Sequence, residues 1–131
     1  MKKTVFMDKY PIYSLSILKN EICFSSMEEI ISYFKAKIEA HPIARFIAVF
    51  DHYEHTKALN GDMVEGLMDA KNVIFCFGST IPNTKVVAVR PRSIAICEMK
   101  EAFIIEFLEA PKEELHAVME QWTRALVSGK S

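Results

Sequence analysis

The chain has 131 residues, half of them hydrophobic and a quarter charged, with a formal net charge of −1. That length fits one domain over residues 1–131, and a chain of this size needs neither a disulfide nor a metal to hold its core. The near-neutral charge excludes the basic excess with which most nucleic-acid binders release counterions from phosphate, so no nucleic acid is expected as a partner.

Met1-Lys2-Lys3-Thr4 is followed by Val5-Phe6-Met7-Asp8, not by the sustained apolar run of a signal peptide. No stretch approaches the roughly 18 apolar residues of a membrane span. Cys23, Cys76 and Cys97 form no close-spaced pair and sit in apolar stretches, as reduced, buried thiols do. The expected location is the cytoplasm, with no membrane partner.

Residues 13–18 predict a first strand, since Tyr13, Leu15 and Ile17 alternate with Ser14 and Ser16. Lys19-Asn20-Glu21 is a turn, and residues 22–24 are a short apolar continuation. Ser25 and Ser26 precede Glu28 and Glu29, which allows a capping box in either register. The helix it opens carries Met27, Ile30, Ile31, Phe34 and Ile38 on one face. Pro42 ends it by pushing His41 out of the helical region.

Residues 44–50 predict a second strand, β-branched and aromatic. A short helix over residues 52–59 breaks at Asn60-Gly61, and a further helical turn is expected over residues 63–68. Residues 73–77 form a continuously apolar strand ended by Gly78-Ser79-Thr80. Three closely spaced strands then follow, over residues 85–89, 93–99 and 103–108. Arg90-Pro91-Arg92 and Lys100-Glu101-Ala102 are short enough to connect them as antiparallel hairpins. Pro111 sits where a helix tolerates it, at the first position, with Glu113 and Glu114 at the positive end. Leu115, Val118, Met119, Trp122 and Leu126 form the apolar stripe of this last helix, and residues 128–131 are a frayed tail. The fold class is therefore α+β: a curved, mostly antiparallel sheet with N-terminal and C-terminal helices packed on one face.

Both faces are apolar in Val86-Val87-Ala88-Val89, in Phe103-Ile104-Ile105 and in Val73-Ile74-Phe75. Helices on one face leave the other for a subunit interface or a ligand cavity. A symmetric homodimer is the commonest solution, and Phe103, Ile105 and Val87 would then be buried only across subunits. A pocket holding a small-molecule ligand in a monomer is the alternative.

Phe50-Asp51-His52 after a strand, with Ala58 beyond, is similar to a stretch of the domain of unknown function 302 family. Val73-Ile74-Phe75-Cys76-Phe77-Gly78 followed by Pro82 resembles that family's apolar strand ending in Phe-Gly-Asn-Pro. Thr84, Pro91 and Ala110-Pro111 follow in the family's order, so the resemblance covers residues 12–125. The chain departs from it at Ser79-Thr80-Ile81, where the family has Asn before Pro, and at Glu98-Met99-Lys100, where it has Asp-Leu-Pro. The resemblance implies a TBP-like fold of the β-α-β(4)-α type and assigns no reaction.

Asp51, His52, Glu54 and His55 are the densest polar cluster. His52 and His55 are three apart and share a helical face, the spacing a metal or a His-based enzyme would use with Asp51 beside them. The plainer reading is that Asp51 caps the helical turn and the imidazoles bond locally. No HExxH or comparable signature is present, and no cofactor is expected. Gly78 and Ser79 follow a strand and offer backbone N–H groups to an anion, although no Walker lysine accompanies them and a plain turn explains them as well. Arg90, with Arg92 across Pro91, is placed to grip a carboxylate or phosphate, or to be a solvated hairpin tip. A thiol–imidazole pair of Cys76 or Cys97 with His52 would need an exposed thiol of low pKa.

Three functions fit these residues. One is a homodimeric module that binds an apolar or amphipathic small ligand on its open sheet face. Another is a homodimer that serves as an interaction domain. The third is a metal-dependent or His-based enzyme centred on Asp51, His52 and His55.

Overall fold

A computed structural model describes residues 1–127; the tail expected at 128–131 lies outside the described residues. Ten elements follow in order: β1 (Lys2–Phe6), β2 (Tyr10–Leu18), α1 (Met27–Ala40), β3 (Ala44–Asp51), α2 (His52–Ala58), β4 (Asp69–Phe77), α3 (Thr84–Val89), β5 (Arg92–Glu98), β6 (Ala102–Leu108) and α4 (Glu113–Arg124). The six strands form one sheet in the order β1-β2-β6-β5-β4-β3, and every neighbouring pair is antiparallel. The expected α+β class with an antiparallel sheet holds.

One face of the sheet carries the core. Val73, Phe75 and Phe77 of β4, Ile94 and Ile96 of β5, and Phe103, Ile105 and Phe107 of β6 alternate onto it and are buried. α1 and α4 cover this face, α1 through Met27, Ile30, Phe34 and Ile38, α4 through Met119 and Trp122. The Trp122 ring stacks on Phe77 at a centroid distance of 5.6 Å. Ser26 caps α1 by accepting from the Glu29 backbone N–H, and the Glu29 carboxylate accepts in turn from Ser25 N–H and Oγ. The capping box read from the sequence is therefore present, displaced by one residue on its return arm.

Several expectations change. Residues 85–89 are helical (α3), not a strand: the Asn83 side chain accepts from Lys85 N and Val86 N, and that cap outweighs the extended preference of three valines. The meander therefore has two strands after β4, and Arg90-Pro91 links α3 to β5 rather than two strands. Residues 63–68 form no helix. Leu67 N–H bonds to Val64 O in a turn, and Gly66 adopts φ +87. Pro111 lies outside α4, whose cap position is Lys112. Ile22 does not continue β2 but bridges to Val127. A strand not expected, β1, pairs with β2 through a turn in which Met7 and Asp8 hold φ +55 and +59.

Phe103 and Ile105 are buried inside the single chain under its own helices, so they do not wait for a second subunit. Cys23 is exposed, and Cys76 and Cys97 are half-buried on the uncovered face, not inward-facing as expected. No helix among the described residues is long and apolar enough to cross a membrane.

Candidate functional site

The uncovered face is organised by strand register. Phe50, Asn72, Ala95, Glu106, Ser14 and Lys2 are consecutive cross-strand partners, one from each strand, and make a row across the whole sheet. Asn72 precedes buried Val73, and Glu106 stands between buried Ile105 and Phe107; alternation therefore turns both away from the core. Beside this row run Ile74 and Ser93, which are partners, and Ile12, the partner of both Leu108 and Thr4.

A pocket of about 950 Å3 lies over this face. Asn72, Ala95 and Glu106 contribute to its floor, with His52 from α2 and Ala88 and Val89 from α3 on its walls. The volume is that of small-molecule sites, roughly 300–1,000 Å3. The lining is mainly apolar, with a few polar groups whose hydrogen bonds are defined.

His52 Nδ1 lies 3.2 Å from Asn72 Oδ1, and Asn72 Nδ2 donates to Ser93 Oγ at 3.0 Å. An amide oxygen only accepts, so Nδ1 of His52 carries the proton; in the neutral ring Nε2 is then left as an acceptor. Ser93 Oγ accepts from Asn72 and keeps its own proton for another partner. Glu106 Oε2 accepts from Ser14 Oγ at 2.6 Å, and Glu106 has no ion pair among the described residues.

The other sequence candidates have structural partners. Asp51 caps α2 by accepting from Glu54 N and meets Lys71 Nζ at 2.7 Å. The Lys71 hydrogen bond, with the Glu54 N–H, holds the Asp51 carboxyl below the usual range. His55 packs on the Phe50 ring at 5.3 Å and does not line the pocket. The His52 and His55 rings stand 6.3 Å apart, and no group of three His, Cys, Asp or Glu among the described residues is placed to hold a metal ion.

Gly78 N–H donates to Ile43 O and is not free for an anion. Arg90 Nη1 donates to Thr80 O at 2.8 Å, and Ser79 is an exposed residue between Gly78 and Thr80. Arg92 is not at a hairpin tip. It is buried, donates through Nη2 to Leu108 O, and burial lowers its pKa. Burial pushes the Cys97 thiol up, with Glu106 and Asp69 adding to the rise, which disfavours a reactive thiolate.

Asn72, Ser93 and Glu106 were not singled out from the sequence. The available signal was Glu106 itself, a lone charge inside the apolar run Phe103-Ile104-Ile105-Glu106-Phe107-Leu108.

The fold and pocket define a small α+β domain whose sheet is covered by helices on one face and carries a ligand-sized hollow on the other. The chain belongs to the family of unknown function DUF6858, whose model matches residues 1–128. Its fold is similar to the crystal structure of an uncharacterized conserved protein DUF302 from Bacillus stearothermophilus, with a TM-score of 0.58 at 12% identity over 88% of this chain and 94% of that one. The resemblance to the domain of unknown function 302 family is thus borne out in the fold. No curated protein matches the sequence. Neither similarity brings an activity, so the enzyme reading centred on Asp51, His52 and His55 gains no support.

Proposed function

We propose that the protein is a binding module for an amphipathic small molecule, held in the pocket on the uncovered sheet face. The observation that supports this best is the combination of a hollow of about 950 Å3 and fixed polar groups on an apolar lining. The His52–Asn72–Ser93 chain pre-orients its members, so a ligand meets groups that lose little freedom on binding. No nucleophile–base pair or metal cluster is needed for such a role. The three unpaired cysteines favour the cytoplasm as its location.

Self-association is a second reading, supported by exposed apolar residues at the pocket lining: Phe6 is 60% exposed, Val89 47% and Leu108 40%. A homodimer would cover these across the mouth of the pocket.

Titration of 15N-labelled full-length protein with 1-octanol, followed by NMR, tests the pocket. The expected result is amide shifts at Ala88, Val89, Ala95 and Leu108, lost in Ala95→Phe, which fills the floor without touching the core. Octanol shifts that persist unchanged in that variant, or no shifts at all in the wild type, would sink the pocket reading. Native mass spectrometry of the same sample reads the oligomeric state, and a monomer mass at every concentration would sink the homodimer.

A further inference from the structure

We infer that the ligand carries an ammonium group, seated against Glu106, on an apolar body. This rests on the pocket reading above and adds the charge of the head group.

Glu106 stands near the centre of the row that crosses all six strands. Its neighbours in that row, Ala95 and Ser14, are uncharged, and the nearest cation in the row is Lys2 on the edge strand beyond Ser14. A carboxylate has about four lone-pair sites. Within the protein Glu106 fills one of them, with the Ser14 hydroxyl on Oε2. The remaining acceptor capacity faces a hollow walled by Ile12, Val89 and Leu108. A charge lining a concave apolar site acts on a ligand through less water than one on an open surface, so its attraction for an opposite charge is stronger.

The other charged groups on the lining are partly engaged within the protein. Glu109 already accepts from Tyr13 Oη and Lys3 Nζ. Arg92 belongs by alternation with Ile94 and Ile96 to the helix-covered face, and its Nη2 is bound to Leu108 O. Its Nε has no accessible surface and no partner among the described residues, which leaves Nη1 as the one guanidinium nitrogen that can meet a ligand. An anionic head would therefore meet Glu106 with only Arg92 Nη1 to offset it. A cationic head meets Glu106, and in the neutral ring of His52 Nε2 adds a second acceptor on the wall.

The test compares three probes of equal chain length at pH 7, octylammonium, octanoate and 1-octanol, by NMR titration of the full-length protein. Octylammonium is expected to bind about tenfold more tightly than 1-octanol, as a charge-assisted hydrogen bond warrants. Octanoate is expected to bind more weakly than either. Glu106→Gln keeps shape and Ser14 contact but removes the charge; it should bring octylammonium down to the 1-octanol affinity measured in the same variant. Ser14→Ala, which removes only the internal donor, should keep the preference for octylammonium.

Octanoate binding best, or a preference for octylammonium that survives Glu106→Gln, would overturn the ammonium inference while the pocket reading stands. Failure of all three probes would overturn both.

Discussion

The Arg90 guanidinium lies across the backbone of Gly78: a Cβ built on that glycine would stand 2.2 Å from Nη2 and 2.8 Å from Cζ. Gly78 also holds φ +106, a conformation that side chains with a Cβ rarely adopt. The contact, with the Arg90–Thr80 hydrogen bond, ties the end of β4 to the segment that enters β5. Two residues read from the sequence as anion contacts thus brace the loop instead.

Gly78→Ala is expected to destabilise the protein by about 2 kcal/mol, from backbone strain plus displacement of the guanidinium. Adding Arg90→Ala should relieve the clash but not the strain, so the double variant should recover only part of the loss. Urea denaturation of the four proteins measures this. A double variant as stable as Arg90→Ala alone would show that φ contributes nothing.

Asp51 and Lys71 set a pH dependence. Lys71 Nζ stands 2.7 Å from Asp51 Oδ2 and 3.6 Å from Asp69 Oδ1. The Asp51 pKa is lowered in the folded state, so the unfolded chain takes up its proton first. The stabilisation is complete above the ordinary carboxylate value of about 4 and fades as pH falls through the folded value. Lys71 is shifted up, chiefly by the Asp51 hydrogen bond, so its share is complete below its ordinary value and fades as pH rises through the folded one. Asp51→Asn should therefore be less stable than the wild type at pH 7, with the gap closing as pH falls below about 4. A gap of constant size across that range would remove Asp51 from the acid response.

What the sequence disclosed follows from how each signal arises. α1 was legible because its cap, its apolar stripe and Pro42 agree. β4, β5 and β6 were legible in type because each contains a short apolar, β-branched or aromatic run bounded by turn residues. β1 was not, because all five of its residues are exposed at the sheet edge and no alternation marks it. In the site, His52 was legible as part of a dense polar cluster, whereas its partner Asn72 and Asn72's own partner Ser93 lie 20 and 41 positions from His52 and are brought together only through sheet register.

α3 is the clearest case of a local contact overriding propensity. Val86-Val87-Ala88-Val89 favours extended backbone, yet Asn83 Oδ1 accepts from Lys85 N at 3.0 Å and Val86 N at 3.2 Å and starts a helix. The same short helix presents Ala88 and Val89 to the pocket. Asn83→Ala should cost about 1 kcal/mol, the usual value of a lost cap, and fray this segment. The expected NMR signature is loss of helical chemical shifts over residues 84–89 with the core amides of Ile94 and Phe107 unmoved. Octanol affinity should fall with it, because a wall of the pocket loosens while the floor remains. Retained helical shifts would mean that packing of α3 against the sheet, rather than its cap, decides the conformation. Octanol affinity unchanged despite a frayed α3 would mean that the floor residues alone hold the ligand.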